Sequence, residues 1–525
     1  MIHYKNIPGF MLLMLWAVVP LRAKEYHVSV KGKDSNLGTM VQPFRSIAHA
    51  ASVAVAGDVI TVHAGIYREE VSLMRGGESD EKRITYQAAA GENVEIKGSE
   101  VIVGWKKVKD GVWKVNLPNA FFGSYNPYTD LIAGDWYFPR ARKLHTGAVY
   151  LNSKGFEEID PLEPLTGNTW YCSYEKGTTT IVANFGTADP NKELLEINMR
   201  KSCFYPGKTG VNYLTVRGFK MSQAATQWAA PTAEQVGLIG TNWSKGWVIE
   251  DNVISDSKCV GLTLGKDRKT GHNGVDYNEM VHRVIAAGWN KDTIGSHLVR
   301  NNKIFNCGAA GICGSFGAAF SRIEDNEVYA VYTNRSFYGA EMAGIKLHGA
   351  IDVIIAGNKV HHAFIGIWLD WMAQGTIVRD NLCYENDLVD LFMEVNHGPY
   401  EVSGNQFLSA YSLRDWSEGG TFSRNLFAGL VSRVPDSRAT PYFKPHSTAF
   451  LGIKPIQGGD NRFFNNVFMG KRDVEVVQQP RMNVMDGPDR LLGYGLAVYD
   501  DAVLPVMAKG NIYLDGAKPF KGENK

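Results

Sequence analysis

The sequence lacks the features that mark several broad classes of protein. Lysine and arginine together number 55 and aspartate and glutamate 54, which gives a formal net charge of +1. A nearly neutral chain has no charge excess with which to bind nucleic acid or an anionic membrane surface, so we expect neither as a partner. The apolar stretch at residues 9–19 is also too short for a membrane-spanning helix, which needs about 20 residues.

That apolar stretch has the surroundings of a secretory signal peptide. It follows Lys5 and is followed by Pro20 and the small residue Ala23. This order is typical of a leader that is removed on export. We therefore predict a signal peptide over residues 1–23 and export to a periplasm or to the extracellular medium; a buried N-terminal strand is the alternative.

Cysteine is scarce, and its spacing excludes two kinds of structural support. Six cysteines are present, and none forms a CxxC pair or a zinc-like spacing with histidine. The sequence thus predicts neither an essential disulfide framework nor a structural zinc site. Core positions inside repeats are expected for Cys307, Cys313 and Cys383.

From about residue 245 the sequence repeats a short pattern in which an asparagine stands between apolar residues. Asn326, Asn358, Asn381 and Asn405 follow one another at intervals of 32, 23 and 24 residues. Such periods indicate a solenoid, and short β-branched segments without helical periodicity favour a parallel β-helix. Asparagine tolerates the left-handed backbone of a turn, and stacked amides can hydrogen-bond along a ladder. A propeller would need tight hairpins, whose NG and DG dipeptides are scarce here.

The predicted fold is therefore all-β, a parallel β-helix with an inserted β-sandwich. Residues 24–90 would form the N-terminal part of the β-helix, where an alanine-rich helix covers the open end of the first coil. Over residues 91–198 the asparagine repeat disappears, and alternating apolar and polar residues broken by DG and KG turns predict an antiparallel sandwich. We expect both connections of this insert to leave the β-helix at one point. The main β-helix, residues 199–525, would carry the functional site.

Five polar residues occupy nearly the same place in consecutive repeats, ten or eleven residues before the next repeat asparagine. In a parallel β-helix they would stack into a column with rungs roughly 4.8 Å apart. A retaining glycosidase needs two carboxyl groups about 5 to 5.5 Å apart. Repulsion between two such groups would also keep one of them protonated near neutral pH, as a general acid requires. The column comprises Ser315, His348, Asp370, Glu394 and Asp415.

The neighbours of the two consecutive carboxyl residues suit a sugar ring. Trp368 and Trp371 flank Asp370, and His397 follows Glu394. A solvated outer face of the solenoid is the alternative explanation for both carboxylates.

Four more residues are candidates for binding substrate. Glu341 lies in a long coil that would loop over the column, where it could bind sugar hydroxyls or be an ordinary loop carboxylate. His348 could orient a carboxylate or bind a hydroxyl, with a core histidine as the alternative. Trp228 could contribute to a sugar platform, and Tyr128 could reach the cleft from the insert.

A set of longer segments, in order between about residues 25 and 470, adds a family resemblance. They are EYHVSVKGKDS, AGDVITVHAGIYREEV, EINMRKSCFYP, PTAEQVGLIGTNWSKGW, FYGAEMAGIKLHGAID, GIWLDWMAQGT and EVNHGPY. Together they resemble glycoside hydrolase family 120, the β-xylosidases. The resemblance implies a right-handed parallel β-helix interrupted by a β-sandwich, and retaining hydrolysis of β-xylosides.

The same resemblance implies roles for individual residues. It makes Asp370 in WLDW the nucleophile, Glu394 in MEVNHGP the acid/base and Glu341 a substrate contact. Members of the family carry histidine just before that glutamate, whereas this chain has Ala340. The missing donor puts the sugar specificity in question, though not the catalytic pair.

The sequence therefore predicts a retaining exo-glycosidase that hydrolyses β-xylosides and xylo-oligosaccharides through a covalent glycosyl-enzyme, with no metal or other cofactor. A polysaccharide lyase of the same architecture is one alternative. It would need an acidic cluster for calcium and a basic residue, for which Lys346 is the one candidate beside the column. A non-catalytic carbohydrate-binding solenoid is the other alternative. The sugar, the linkage and assembly into a homo-oligomer are left open.

Overall fold

The three-dimensional structure, a computed structural model, describes residues 23–138, 143–266, 277–470 and 491–523. Residues 1–22 of the predicted signal peptide lie outside the described residues. Over the described ranges the chain winds through three long sheets, whose strands follow one another in the same order coil after coil. Neighbouring strands in these sheets are parallel, apart from the final pair in one of them, and the predicted parallel β-helix is confirmed.

Most coils contribute one strand to each of three sheets, which we name A, B and C and which have 13, 11 and 12 strands in the described ranges. Sheet A consists of Glu25–Val28, Val59–Val62, Ile84–Ala88, Leu214–Arg217, Val248–Glu250, Leu298–Arg300, Arg322–Glu324, Ile354–Ala356, Thr376–Arg379, Tyr400–Ser403, Gly420–Ser423, Arg462–Phe464 and Met507–Lys509. Sheet B consists of Val71–Leu73, Phe204–Pro206, Ile239–Gly240, Val260–Thr263, Ala310–Ser315, Ala343–His348, Ile365–Asp370, Val389–Glu394, Tyr411–Trp416, Leu430–Arg433 and Leu491–Gly493. Sheet C consists of Gly65–Tyr67, Val94–Lys97, Lys220–Ser222, Val253–Ser255, Lys303–Cys307, Glu327–Val331, Lys359–Ala363, Leu382–Tyr384, Gln406–Phe407, Leu426–Phe427, Val467–Met469 and Ile512–Leu514.

A buried asparagine ladder runs along the turn between sheets A and C. The amide of Asn358 donates to Asn381 Oδ1 at 3.0 Å and to the Ile323 carbonyl of the preceding coil at 2.8 Å. The same bond to the next asparagine recurs at every step, through Asn252, Asn302, Asn326, Asn358, Asn381, Asn405, Asn425, Asn466 and Asn511. Because a buried amide without partners costs about 1–3 kcal/mol, each rung depends on the next.

The left-handed residue of this turn is the one before each ladder asparagine, so our expectation for the asparagine itself was wrong. Asp325 (φ 55°), Gly357 (φ 64°) and Asp380 (φ 56°) precede three of the rungs. The ladder asparagine keeps ordinary backbone angles because its side chain must point into the stack. The residue before it makes the bend.

The insert predicted over residues 91–198 contains two antiparallel sheets packed on a separate apolar core. One sheet comprises Ser99–Val101, Val149–Leu151, Lys154–Gly155 and Leu195–Asn198; the other comprises Lys106–Lys109, Val112–Pro118, Glu157–Glu158, Thr169–Glu175 and Thr178–Asn184. The short strand Glu157–Glu158 is the parallel exception. The core between the sheets includes the fully buried Trp170, Val149 and Ile181. The sandwich is therefore confirmed as part of the fold.

The insert leaves and rejoins the β-helix at one place, as expected from the sequence. Met199 donates its backbone N–H to the carbonyl of Gly98, so the two connecting segments lie side by side. Glu196 is fully buried there and pairs with Arg68 at 2.6 Å and Lys97 at 2.7 Å. The two cations together compensate the buried charge of Glu196, and removing either one would weaken that compensation.

Helices and short ribbons cover the ends and one side of the β-helix. Helix α1 (Ile47–Val53) is capped by Ser46, whose Oγ accepts from His49 N at 3.1 Å, and it packs over the first coil. Helix α2 (Tyr277–Ala286) packs near the hairpin Ala439–Phe443 and Phe450–Pro455. Within the described ranges, two 3₁₀ turns (Asn119–Phe122 and Ala497–Tyr499) and a two-stranded ribbon (Tyr137–Phe138 with Tyr338–Gly339) complete the elements.

The expected core positions of Cys307, Cys313 and Cys383 are confirmed, since all three lie in the main apolar core. All six cysteines are buried free thiols. Across the described ranges, no helix is both long and apolar enough to cross a membrane.

Candidate active site

Four consecutive strands of sheet B carry the candidate site. They are β1 (Ala343–His348), β2 (Ile365–Asp370), β3 (Val389–Glu394) and β4 (Tyr411–Trp416). Their parallel register, with the strand before them, stacks one residue from each into a column that we call the reactive column. Its members are Ser315, His348, Asp370, Glu394 and Trp416.

The register places Asp370 directly beside Glu394, as the repeat spacing predicts. Adjacent parallel strands lie about 4.8 Å apart, so the two side chains start one strand spacing from each other. The backbone turns sharply just after each of them, since Trp371 (φ 34°) and Val395 (φ 50°) have left-handed angles. A left-handed angle at a residue other than glycine costs about 1–3 kcal/mol and is held in place by the surrounding structure.

The expectation that Asp415 continues the column was wrong. Asp415 aligns with Met393, and Trp416 takes the position beside Glu394. Because side chains alternate along a strand, this offset of one residue turns Asp415 toward the interior. There it is fully buried and accepts from Tyr499 OH at 2.7 Å and Asn461 Nδ2 at 2.8 Å.

A second column, two residues earlier in each strand, lies next to the reactive column on the same face. We call it the aromatic column; it consists of Lys346, Trp368, Phe392 and Arg414. The rings of Trp368 and Phe392 stack with centroids 5.1 Å apart. Lys346 Nζ lies 2.9 Å from the centroid of the Trp368 ring, and the Arg414 guanidinium lies 4.9 Å from that of Phe392. The stack is thus closed at both ends by a cation.

The two oxygens of Asp370 have different surroundings. Oδ2 accepts from Lys346 Nζ at 2.9 Å and lies 3.4 Å from His348 Nε2. Oδ1 is buried, and no group within the described part of the chain donates a hydrogen bond to it. One oxygen is therefore held by the Lys346 ammonium, while the other accepts no hydrogen bond from the described residues.

Glu394 is held in a different way. Oε2 accepts from Trp368 Nε1 at 3.0 Å, and Oε1 pairs with Arg438 at 2.8 Å. Arg438 comes from the loop before the Ala439–Phe443 strand and also pairs with Asp436 at 2.9 Å. A residue outside the repeats thus reaches back over the column.

The pKa values of the two carboxyl groups move in opposite directions. Burial raises the pKa of Asp370, but the positive charges of Lys346 and His348 outweigh it, so this pKa lies below its ordinary value. Burial, together with the negative charge of Asp370, raises the pKa of Glu394 to about 7, although Arg438 acts against the shift. Near neutral pH, the pair therefore holds an ionised Asp370 beside a partly protonated Glu394.

Glu341 lies over the column as expected, next to His348 and Lys346. Its Oε2 is 3.4 Å from His348 Nε2 and 3.4 Å from Lys346 Nζ. The side chains of Glu341, His348 and Asp370 could in principle hold a metal, because their donor atoms lie within 4.8 Å of one another. The buried Lys346 ammonium already supplies a positive charge to both carboxylates, and that charge would repel a divalent ion. Its two ion pairs also leave Lys346 poorly suited to act as the base of a lyase.

The remaining predicted substrate contacts fall in different places. Trp371 follows Asp370 at the turn and packs against the apolar cluster beneath helix α2; its contact with substrate stays a prediction. Both ring nitrogens of His397 have protein partners, Glu418 Oε1 at 2.8 Å and Thr440 Oγ1 at 2.9 Å. His397 therefore joins the hairpin to the β-helix next to the site.

Two assignments need correction. Tyr128 is 1% exposed inside the core of the insert, and its hydroxyl donates to the Ala148 carbonyl at 2.7 Å. Trp228 is 3% exposed and packs behind the two-stranded ribbon, with Nε1 donating to the Asp135 carbonyl at 2.9 Å. Neither side chain has an open face for a sugar, because each fills a core position that the sequence alone did not distinguish from an exposed one.

Sequence reasoning missed several residues of the site. Arg438 gave no signal, because it lies outside the repeats. Trp416 was missed through the one-residue offset at Asp415. An aromatic cleft opens beside Glu394, and its lining includes Phe138, Tyr338, Phe364, Trp368, Phe392 and Trp416. Phe138 and Tyr338 reach it on the two-stranded ribbon, a pairing that no local pattern predicts.

Comparisons with known proteins agree with this architecture. The family description "Glycoside hydrolase 120, insertion domain" matches residues 102–169, and "Right handed beta helix region" matches residues 237–427. The solved structure of XylC in complex with xylose is 43% identical, with a TM-score of 0.89, and covers 95% of this chain and 85% of that chain.

Two weaker matches give less information about the family. A solved structure described as a glycoside hydrolase is 13% identical with a TM-score of 0.50, covers 85% of this chain and 96% of that chain, and shows the fold alone. An uncharacterized Bacillus subtilis protein, YwoF, is 40% identical over 75 residues; the match spans 14% of this chain and 16% of YwoF. The likeness to XylC over nearly the whole chain, together with the matched insertion domain, decides the family. The chain belongs to glycoside hydrolase family 120.

Proposed function

We propose that the protein hydrolyses β-xylosides and short xylo-oligosaccharides from one end, with retention of configuration, through a covalent glycosyl-enzyme. The observation that supports this most is the pair on adjacent rungs, Asp370 with a lowered pKa and Glu394 with a raised pKa. A spacing of one strand fits the roughly 5–5.5 Å of retaining enzymes. The similarity to XylC, solved with xylose, supports a xyloside as the substrate.

In the first step Glu394 protonates the glycosidic oxygen while Asp370 attacks the anomeric carbon. The bond between that carbon and the leaving oxygen breaks, an ester to Asp370 forms, and the alcohol departs. Oδ1 is the attacking oxygen, because Oδ2 is engaged by Lys346 and His348.

In the second step Glu394, now ionised, takes a proton from water. The water oxygen bonds to the anomeric carbon, the ester to Asp370 breaks, and the sugar leaves with its original configuration. The negative charge of Asp370 is one cause of the raised pKa of Glu394. Ester formation removes that charge, so the pKa of Glu394 falls when it must act as a base.

Three polar side chains lie beside Asp370 on the side of the column away from Glu394. Glu341, His348 and Lys346 are all buried around Asp370. This arrangement leaves room for few sugar units beyond the one attacked, which supports release from a chain end. The polar atoms of Glu341 and His348 would bind the hydroxyls of that sugar.

The test is hydrolysis of 4-nitrophenyl β-D-xyloside by Asp370→Ala. We expect kcat/KM to fall by about 10⁴-fold or more, as for other catalytic nucleophiles, and added azide to give the xylosyl azide of inverted configuration. Asp380→Asn, a change at an exposed turn, serves as the control and should keep full activity. Full activity in Asp370→Ala would refute the mechanism, and no xyloside turnover by the wild type would refute the substrate.

A further inference from the structure

A second cavity lies where the insert meets the β-helix, and the proposed reaction does not use it. Its volume is about 240 Å³. Three segments enclose it: part of the insert, the ends of two sheet C strands, and the loop before the two-stranded ribbon. Its polar lining includes Glu157, Glu158, Asp256, Ser257, Lys258, Asn306, Asn334 and Ser336.

The charges of the lining select against anions. Three carboxylates, on Glu157, Glu158 and Asp256, face a single ammonium on Lys258. That ammonium already donates to the Gly147 carbonyl at 2.9 Å and lies 3.4 Å from Glu158. A phosphate or a uronic acid would meet net negative charge here. Glu158 already bonds to His145 at 2.6 Å and Asp256 accepts from Ser255 at 2.6 Å. Because a carboxylate has about four acceptor positions, the hydroxyl groups of a neutral ligand could share these acceptors with the protein donors.

The rest of the lining fits a sugar. The aromatic side chains of Tyr150, Phe156 and Phe337 line the same cavity, beside the amides of Asn306 and Asn334. Aromatic surface for the C–H face of a ring, together with amide and carboxylate groups for its hydroxyls, is the mixture that neutral carbohydrates bind. A cavity of this size also approaches the range of small-molecule sites.

The cavity adjoins the aromatic cleft through one short segment. Phe337 lines the cavity, and the next residue, Tyr338, lines the cleft beside Glu394. Phe337 is held in place by Trp228 and Tyr137, with ring centroids 5.9 Å and 6.1 Å away. The cavity and the cleft thus share one short segment of chain, although the two neighbouring side chains line different spaces.

We propose that this cavity is a second carbohydrate-binding site, which takes a neutral pentose or a short neutral oligosaccharide. The identity of the sugar, xylose or xylobiose, rests on the proposed function; the presence of a neutral saccharide rests on the lining of the cavity.

The test measures binding of D-xylose and xylobiose to the full-length Asp370→Ala protein by calorimetry and ligand-observed NMR. We expect two classes of site. The double variant Asn306→Gly and Asn334→Ala, made in that background, should weaken one class about ten-fold through the loss of two hydrogen bonds. Both asparagines are exposed, and glycine keeps the left-handed backbone of Asn306 (φ 54°). Asn306→Gly also removes the hydrogen bond that the Asn306 amide donates to Asp256, so thermal unfolding of the double variant is measured alongside binding to show that the fold is kept.

Asn116→Ala, an exposed asparagine on the outer sheet of the insert, is the matched control and should leave both classes unchanged. A single class of site that the double variant does not alter would overturn the proposal. Binding of a small amine such as Tris in the cavity, without binding of either sugar, would also overturn the proposal, because the carboxylates would then form a cation site. Failure of the proposed function would show itself separately, as equal xyloside turnover by wild type and Asp370→Ala.

Discussion

Lys346 should set the protonation state of the nucleophile, and its replacement by methionine tests this directly. Its ammonium lies 2.9 Å from Asp370 Oδ2 and 3.4 Å from Glu341 Oε2, and the side chain is 1% exposed. Methionine retains much of the length and the contact with Trp368 but removes the charge. Two buried carboxylates would then lose their nearest cation.

The size of the effect follows from the geometry. With an effective dielectric constant of about 20, Coulomb's law gives roughly 6 kcal/mol for a pair 2.9 Å apart, most of which is offset by desolvation. Breaking a buried pair by removing one partner typically costs about 3–5 kcal/mol. A neighbouring cation lowers the pKa of an aspartate, so the pKa of Asp370 should rise in Lys346→Met.

The assay is the pH profile of kcat/KM with a nitrophenyl xyloside, together with thermal unfolding. Activity requires ionised Asp370, so the acid limb should move to higher pH. The lowered pKa of Asp370 also contributes stability above pH 3.8, which is lost as the pH falls through the folded value. Lys346→Met should lose that contribution, and its melting temperature should fall. Lys359→Met, at a half-exposed lysine of sheet C paired with Glu327, is the control.

An acid limb of Lys346→Met that overlays that of the wild type would show that Lys346 does not lower the pKa of Asp370. Asp370 would then owe its ionised state to His348 or to the local backbone. A lower melting temperature with an unmoved pH profile would assign Lys346 a purely structural role.

Three further changes test other parts of the argument. Glu394→Gln should inactivate the enzyme but be more stable than the wild type above pH 7. The pKa of Glu394 is about 7 in the folded state and 4.5 in the unfolded state, so ionisation between these two pH values costs the wild type roughly 3 kcal/mol of folding free energy. Chemical denaturation of both proteins at pH 5 and pH 8 measures this difference. Arg438→Met should move the basic limb of the pH profile upward, because Arg438 lowers the pKa of Glu394. Asn358→Ala should destabilise the protein by about 2–4 kcal/mol, because its rung bonds to Asn381 and Asn326 are lost together.

Each of these outcomes can fail on its own. Equal stability of Glu394→Gln and wild type at pH 8 would mean that burial does not destabilise the ionised carboxylate of Glu394. An unmoved basic limb in Arg438→Met would remove Arg438 from the control of the acid. A melting temperature of Asn358→Ala equal to that of wild type would show that the rung bonds of Asn358 contribute no net stability.

Local patterns predicted the parts of the protein that repeat. The asparagine spacing predicted the ladder because each coil places its asparagine at the same turn, and the hydrogen bonds from Asn252 to Asn511 confirm it. The same periodicity placed Asp370 beside Glu394, since parallel stacking converts position in a coil into position in space. The resemblance to glycoside hydrolase family 120 is confirmed as well.

Errors arose where one residue or one distant contact decided the outcome. The predicted position of Asp415 in the column was wrong because β4 is offset by one residue, which turns the Asp415 side chain to the opposite face. The predicted sugar contacts of Tyr128 and Trp228 were wrong because an aromatic residue that fills a core and one that stacks on a sugar look alike in a sequence.

By itself the sequence determined the fold and the vertical alignment of the two carboxyl groups, because both follow from a repeat that each coil carries within itself. Only the tertiary structure decided what surrounds those groups. Arg438 arrives on a hairpin, Phe138 arrives on a ribbon beside the insert, and the bond of Lys346 to Asp370 depends on side chains meeting across strands. Burial and neighbouring charge set the opposite pKa shifts of Asp370 and Glu394, and both are properties of the assembled coils.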